Sequence, residues 1–237
     1  MMKKKNLIAA VCLTMAFASC DDGRLYEKPV ILPKEGRVAK LTGRLTGIDD
    51  WTNGYNVVVA GFTDDNEYAV ISKAVATNAN GEAEVVLTGI KEDVKSVEFC
   101  VINRLRKRIM TFRATDPNVS DTIRLEVGTM DVGMYASIQE QLFNTTCTSC
   151  HGASTFAGAG LYLTDGKSHD ALIEQPSQLI DDKLLVEPGN ADASVLYQTI
   201  TTDVSTSWRQ DHSNMVMSAT LQNVVKAWIN GLDKQTN

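Results

Sequence analysis

Histidine and cysteine are scarce in this chain, with three histidines and five cysteines in 237 residues. The cysteines cannot form a disulfide framework. Cys12 falls in an N-terminal apolar run, Cys20 follows it, Cys147 and Cys150 make one close pair, and Cys100 stands alone. A stapled domain needs more pairs, more widely spread, so Cys100 reads as a small buried hydrophobe. Basic clusters are also lacking. A formal charge of -6 excludes non-specific nucleic-acid binding, which needs grouped Lys and Arg. The one basic run, Arg104–Arg108, is expected at an exposed turn between two strands. After the N-terminus no long apolar stretch recurs, so nothing else in the sequence is expected to cross a membrane.

The N-terminus has the anatomy of a secretory signal. Met1–Lys5 supplies the basic region, and Leu7–Ala18 is an apolar core too short to span a bilayer. It ends at Phe17-Ala18-Ser19-Cys20, which resembles the bacterial lipobox, although Phe17 stands where that motif prefers an aliphatic residue. The resemblance implies a signal peptide over 1–19, acylation of Cys20 and anchoring in the outer membrane, facing periplasm or cell surface. Soluble secretion with Cys20 spare is the alternative. Asp21-Asp22 resembles the surface-export signal of lipoproteins in Bacteroidetes-type bacteria. Residues 20–36, broken by Pro29, Pro33 and Gly36, read as a tether.

Residues 37–130 change character, to short β-rich runs separated by turn residues. Ile123, Leu125 and Val127 alternate, as do Val97, Phe99 and Val101, so each set should face a core. Further strands are expected at Val38–Leu45, Tyr55–Phe62, Tyr68–Val75, Gly81–Leu87 and Arg108–Ala114. Asn80-Gly81 and Asp64-Asp65-Asn66 provide turn signals. About seven short strands at this spacing predict an all-β sandwich of immunoglobulin-like or transthyretin-like form. This region has no histidine, cysteine pair or glycine-rich loop, which leaves it as spacer or docking platform. Asp49, Asp50, Asp64 and Asp65 invite a calcium reading, but turn chemistry accounts for them.

Residues 131–237 follow a helical period. Tyr135, Ile138, Leu142 and Phe143 predict an amphipathic helix running into Cys147. Leu221, Val224, Val225, Trp228 and Ile229 predict a terminal helix closed by Gly231 as C-cap. The middle is rich in Gly, Ser, Thr and Asp, a poor core unless something apolar fills it.

Cys147-Thr148-Ser149-Cys150-His151 is a C-x-x-C-H motif. Two residues between the cysteines let both sulfurs reach the two vinyl groups of one porphyrin, and the next residue can then bind the iron. A thioredoxin-like pair should follow a strand in a βαβ unit and open a helix, whereas this one ends a helix. Zinc needs further ligands, and only the widely spaced His169 and His212 remain.

Ile138–Leu232 resembles the class I c-type cytochrome domain. The resemblance rests on Ile138–Phe143 before the motif, Gly152 after it, and Gly160-Leu161-Tyr162-Leu163. It continues through Glu187-Pro188-Gly189-Asn190, Ser194-Val195-Leu196-Tyr197 and Ala227-Trp228-Ile229-Asn230-Gly231. It implies an all-α cytochrome c fold, one haem c on Cys147 and Cys150, and His151 as the proximal iron ligand. The family's distal ligand is a methionine in a Met-Pro step, and His212-Ser213-Asn214-Met215-Val216-Met217 lacks that proline. Alignment of the last helix puts Met215 at the ligand position, with Met217 and His212 as fallbacks. Met217 is expected to pack on Trp228, and His169 to lie at the surface. Pro188 should shape a loop against the haem and Trp208 cover an edge.

The expected function is electron transfer by an envelope-anchored haem lipoprotein that is no enzyme, has an unidentified redox partner and binds no nucleic acid. A thioether ligand raises the haem potential and two imidazoles place it lower. The alternatives are a peroxidase-like enzyme or sensor with an open sixth site, and a surface binding protein whose haem domain is accessory.

Overall fold

The computed structural model describes residues 36–118, 122–152, 157–204, 208 and 210–232. The expected signal peptide, Cys20 and all of the tether before Gly36 lie outside the described residues. Residues 34–237 cluster as one compact unit.

Among the described residues, seven strands form two sheets. They are β1 (Arg37–Thr46), β2 (Tyr55–Phe62), β3 (Ile71–Ala74), β4 (Glu82–Ile90), β5 (Ser96–Asn103), β6 (Arg108–Thr115) and β7 (Ile123–Asp131). One sheet has the order β4-β1-β7, with β1 antiparallel to β4 and parallel to β7. The other, β3-β2-β5-β6, is antiparallel throughout. Alternation along each strand sends one set of side chains into the space between the sheets. Leu41, Val85, Ile123 and Leu125 from the first sheet join Val57, Val59, Phe99 and Val101 from the second in one buried cluster. Each such side chain contributes roughly 1.5–3 kcal/mol by leaving water.

β2 and β5 are buried on both faces. The outward residues Val58, Ala60, Phe62, Cys100 and Ile102 form a second cluster, capped by Ala69. Burial pushes the Cys100 thiol up, with Glu98 adding to the effect. Glu98, only 2 % exposed, accepts hydrogen bonds from Ser96 Oγ (2.9 Å), Thr111 Oγ1 (2.7 Å) and the Arg108 guanidinium, which also lies over the Phe62 ring. Arg108 is therefore not part of the solvated basic turn. That turn is Asn103–Lys107, where Asn103 Oδ1 accepts from the N–H groups of Leu105 (3.0 Å) and Lys107 (2.9 Å).

Two strand details depart from the sequence pattern. Val127 is only partly buried, because the β1–β7 ladder shifts register there: Thr42 pairs with Glu126 and Gly43 with Gly128. The shift leaves Val127 in a bulge over Gly43, and Gly128 (φ 63°) supplies the left-handed backbone the bulge needs. β3 is shorter than expected because Ala69 and Val70 donate to Arg106 and Gly61 carbonyls while Tyr68 and Val70 face solvent.

The expected all-α cytochrome c fold is corrected by the C-terminal half. It consists of short pieces: α1 (Met134–Ile138), a π-helical stretch (Gln139–Cys147), α2 (Thr148–His151), α3 (Ser168–Leu172), α4 (Val195–Thr201) and α5 (Ala219–Gly231), joined by turns. Their apolar faces do not build a separate helical core. Met134, Ile138, Leu142, Phe143, Val225 and Ile229 belong to the same cluster as the sheet residues. Trp51 is the joint between them, its indole N–H donating to the Val132 carbonyl at 2.7 Å. Gly231 is also not a C-cap. It lies in the last turn of α5, where a Cβ would stand 2.8 Å from Thr52 Cγ2, so glycine is needed for close approach to the loop before β2.

Candidate functional site

Cys147, Cys150 and His151 sit where the π-helical stretch passes into α2. The Thr148 N–H donates to the Phe143 carbonyl, five residues back, as a π-helix requires. The widened ladder leaves carbonyls for nearby hydroxyls: Thr145 Oγ1 donates to Gln141 (2.8 Å), Thr148 Oγ1 to Asn144 (3.2 Å) and Ser149 Oγ to Thr146 (2.9 Å). The segment buries Leu142 and Phe143, and Cys147 packs half-buried against the same cluster, while Cys150 is exposed. Both are free thiols. Burial, and next the neighbouring Cys150, pushes the Cys147 thiol up to about 11.

His151 is oriented from one side. Its Nδ1 lies 3.3 Å from the Leu161 carbonyl, and its own carbonyl accepts from the Leu163 N–H at 2.8 Å. The 161–163 segment is held in turn by Gln139, whose Nε2 donates to the Leu163 carbonyl at 2.9 Å. Gln139 Oε1 accepts from Ser168 Oγ, which also bonds the Tyr135 hydroxyl at 2.6 Å. Buried polar groups joined this way form a rigid bracket. The bracket sets the ring so that Nδ1 faces a carbonyl and Nε2 is left for another partner, the arrangement that second-shell carbonyls give to metal-binding histidines. Gly158 completes it, since a Cβ there would come within 3.3 Å of His151 Cε1.

Across from His151 lies His212, with ring centroids 6.1 Å apart and planes inclined at 37°. Trp208 stands edge-on to His212 at 5.9 Å. His212 is lifted into place by a side-chain-built turn. Asp211 Oδ1 accepts from the Ser213 N–H (2.9 Å) and hydroxyl (2.6 Å), and Asp211 Oδ2 from Asn214 Nδ2 (2.5 Å). Those bonds hold the Asp211 carboxyl below its ordinary range. Burial, then the nearby His151, lowers the His212 pKa, against the Gln210 carbonyl and Asp211. Its Nδ1 is sealed from water and meets no hydrogen-bond partner in good geometry.

The structure does not bring the methionines to His151 in the same way. Met215 is 39 % exposed and Met217 84 % exposed, so the packing of Met217 on Trp228 is corrected; Trp228 instead lies 4.9 Å from the Tyr135 ring. The loop after Pro188 ties to the end of α5, through Gly189 N–H to the Ile229 carbonyl and Ala191 N–H to Asn230 Oδ1, both 2.9 Å. His169 is at the surface beside Asp170, its ring edge-on to Tyr135. Asp49 and Asp50 lie in a short turn after β1, and Asp65 takes a left-handed turn conformation. Two surface clefts lie on the sheets, one around Phe62 and Arg108, the other around Arg37 and Pro117; neither includes Cys147.

Sequence reading missed Gln139, Ser168 and the Leu161 carbonyl. A backbone acceptor carries no side-chain signal, and Gln139 reads as one more polar residue on a helix. The Asp211-His212-Ser213-Asn214 turn did carry a signal, in its density of turn-forming side chains.

No protein-family model, curated protein or solved structure matches this chain. The resemblance of Ile138–Leu232 to the class I cytochrome c domain is accordingly corrected. The described chain is mostly sheet with short helices, and among the described residues no group of three or more His, Cys, Asp or Glu side chains is placed to hold a metal ion. The stretches that carried the resemblance have local explanations here, as a helix entry, a Pro-Gly turn and a terminal helix docked on a shared core. Such pieces recur on unrelated folds.

Proposed function

We propose that this chain attaches one haem covalently at Cys147 and Cys150, binds its iron through His151, and passes single electrons. The observation that carries the proposal is the fixing of His151 Nδ1 by Leu161 beside two free thiols at C-x-x-C-H spacing. A haem brings four nitrogens of its own, so it asks the chain for one or two axial ligands rather than a full metal-binding cluster. The donor types also fit. Each thiol adds across a vinyl group, its sulfur bonding one carbon and its hydrogen passing to the next, with no oxidant or reductant consumed. Exposed Cys150 marks the edge open to the group, and half-buried Cys147 the edge against the core. When bound, the group supplies a one-electron ferric/ferrous couple.

The chain's own part is to hold the imidazole in one tautomer through the Leu161 carbonyl, on a segment anchored by the buried Leu142 and Phe143. Export through the N-terminal signal and anchoring by Cys20 belong to the same proposal, with the sheets as spacer or dock and a second redox protein as partner. Haem stain on a denaturing gel, after expression with c-type maturation machinery, tests it. The stain should persist in the wild type and vanish in Cys147→Ser, Cys150→Ser. An unstained wild-type band would end the haem reading. A high-spin spectrum of a stained protein would favour the enzyme or sensor reading over electron transfer.

A further inference from the structure

We infer that His212, rather than either methionine, is the second axial ligand, so that the iron is held between two imidazoles; the inference rests on the haem reading above. Two imidazoles on opposite sides of one metal ion have centroids roughly 6 Å apart, from a metal–nitrogen distance of about 2 Å and about 1 Å from nitrogen to ring centre on each side. The His151 and His212 rings stand 6.1 Å apart. They come from distant parts of the chain, and each is positioned by its own bracket: Leu161, supported through Gln139, on one side and the Asp211 turn with Trp208 on the other.

The same turn decides against the methionines. The Met215 N–H closes back on the His212 carbonyl at 3.0 Å, and the chain then leaves with Met215 and Met217 toward solvent. Val216 alone turns inward, and Gln222 pins this exit by donating to the Val216 (2.7 Å) and Ile200 (2.9 Å) carbonyls.

The experiment compares oxidised full-length haem protein in four forms: wild type, Met215→Ala, His212→Ala and His212→Met. Optical and electron paramagnetic resonance spectra are recorded after a denaturing-gel haem stain of each. Wild type should be low-spin without the long-wavelength sulfur-to-iron band, and Met215→Ala should be indistinguishable from it. His212→Ala should lose the low-spin signal and regain it on adding imidazole. His212→Met should retain stain, which shows that the haem is attached, and gain the sulfur band and a higher reduction potential, the band itself showing that the loop still folds over the iron. A sulfur band in wild type that disappears in Met215→Ala overturns the inference while leaving covalent haem intact. So does an unchanged low-spin spectrum in His212→Ala. Absence of stain in every form overturns the haem reading and the inference with it.

Discussion

A thiol held off from solvent and beside a second thiol resists ionisation, and this governs the chemistry of Cys147. Burial pushes it up to about 11, so near neutral pH it is almost wholly S–H. The thiolate is the reactive species. With its thiols free, the chain should therefore react with iodoacetamide at pH 8 at exposed Cys150 well before Cys147, and at buried Cys100 last. Because the pKa is raised, the Cys147 rate should climb by about tenfold for each pH unit until about 11 and then level. Peptide mapping by mass spectrometry reads this directly. Equal rates for Cys147 and Cys150 would contradict the half-buried placement. At this scale the sequence disclosed the residue types and the C-x-x-C-H spacing. It did not disclose which cysteine faces the core, because that depends on the phase of a π-helical stretch that ordinary helical periodicity does not describe.

Among the elements, α5 shows how a local signal can be right about residue type and wrong about cause. Gly231 reads as a helix stop, yet it is helical and close to Thr52. Gly231→Ala removes a helix penalty of about 1 kcal/mol but drives a methyl into Thr52, an overpacking cost of about 1–3 kcal/mol. The single variant should be less stable in urea, and Gly231→Ala, Thr52→Ala should recover most of the loss. Recovery in the double variant measures the contact itself, since distant sites would merely add. Were the glycine only a cap, Thr52→Ala would bring no recovery. β7 teaches the same lesson in sheet form. The alternation of Ile123 and Leu125 was legible, but the bulge that turns Val127 aside was not, since it arises from pairing with β1.

For residues 34–237 as a whole, the sheets and the short helices share one apolar cluster. Trp51 packs into it and also donates the 2.7 Å hydrogen bond that fixes the start of the helical half. Trp51→Ala should cost about 3–5 kcal/mol. It should lower the urea midpoint of both halves together, read as Cys100 thiol exposure in the sheets and Trp228 fluorescence in α5. Helical signals melting while Cys100 stays protected would show two independent cores instead. A shared core also explains why short helices suffice: their apolar residues are buried in the common cluster, and the helices need not be long enough to be stable alone.

The sequence by itself determined the strand-forming runs, the turns that separate them, and the adjacency of Cys147, Cys150 and His151. These are local properties, fixed by alternation and spacing along a few residues. Only the tertiary structure decided that Arg108 turns back to neutralise Glu98, that Leu161 orients His151, and that His212 faces it while Met215 faces water. Each of those is a pairing across distant segments. It is set by which apolar faces pack together, and a side chain's own sequence neighbourhood holds no record of the groups that packing brings to it.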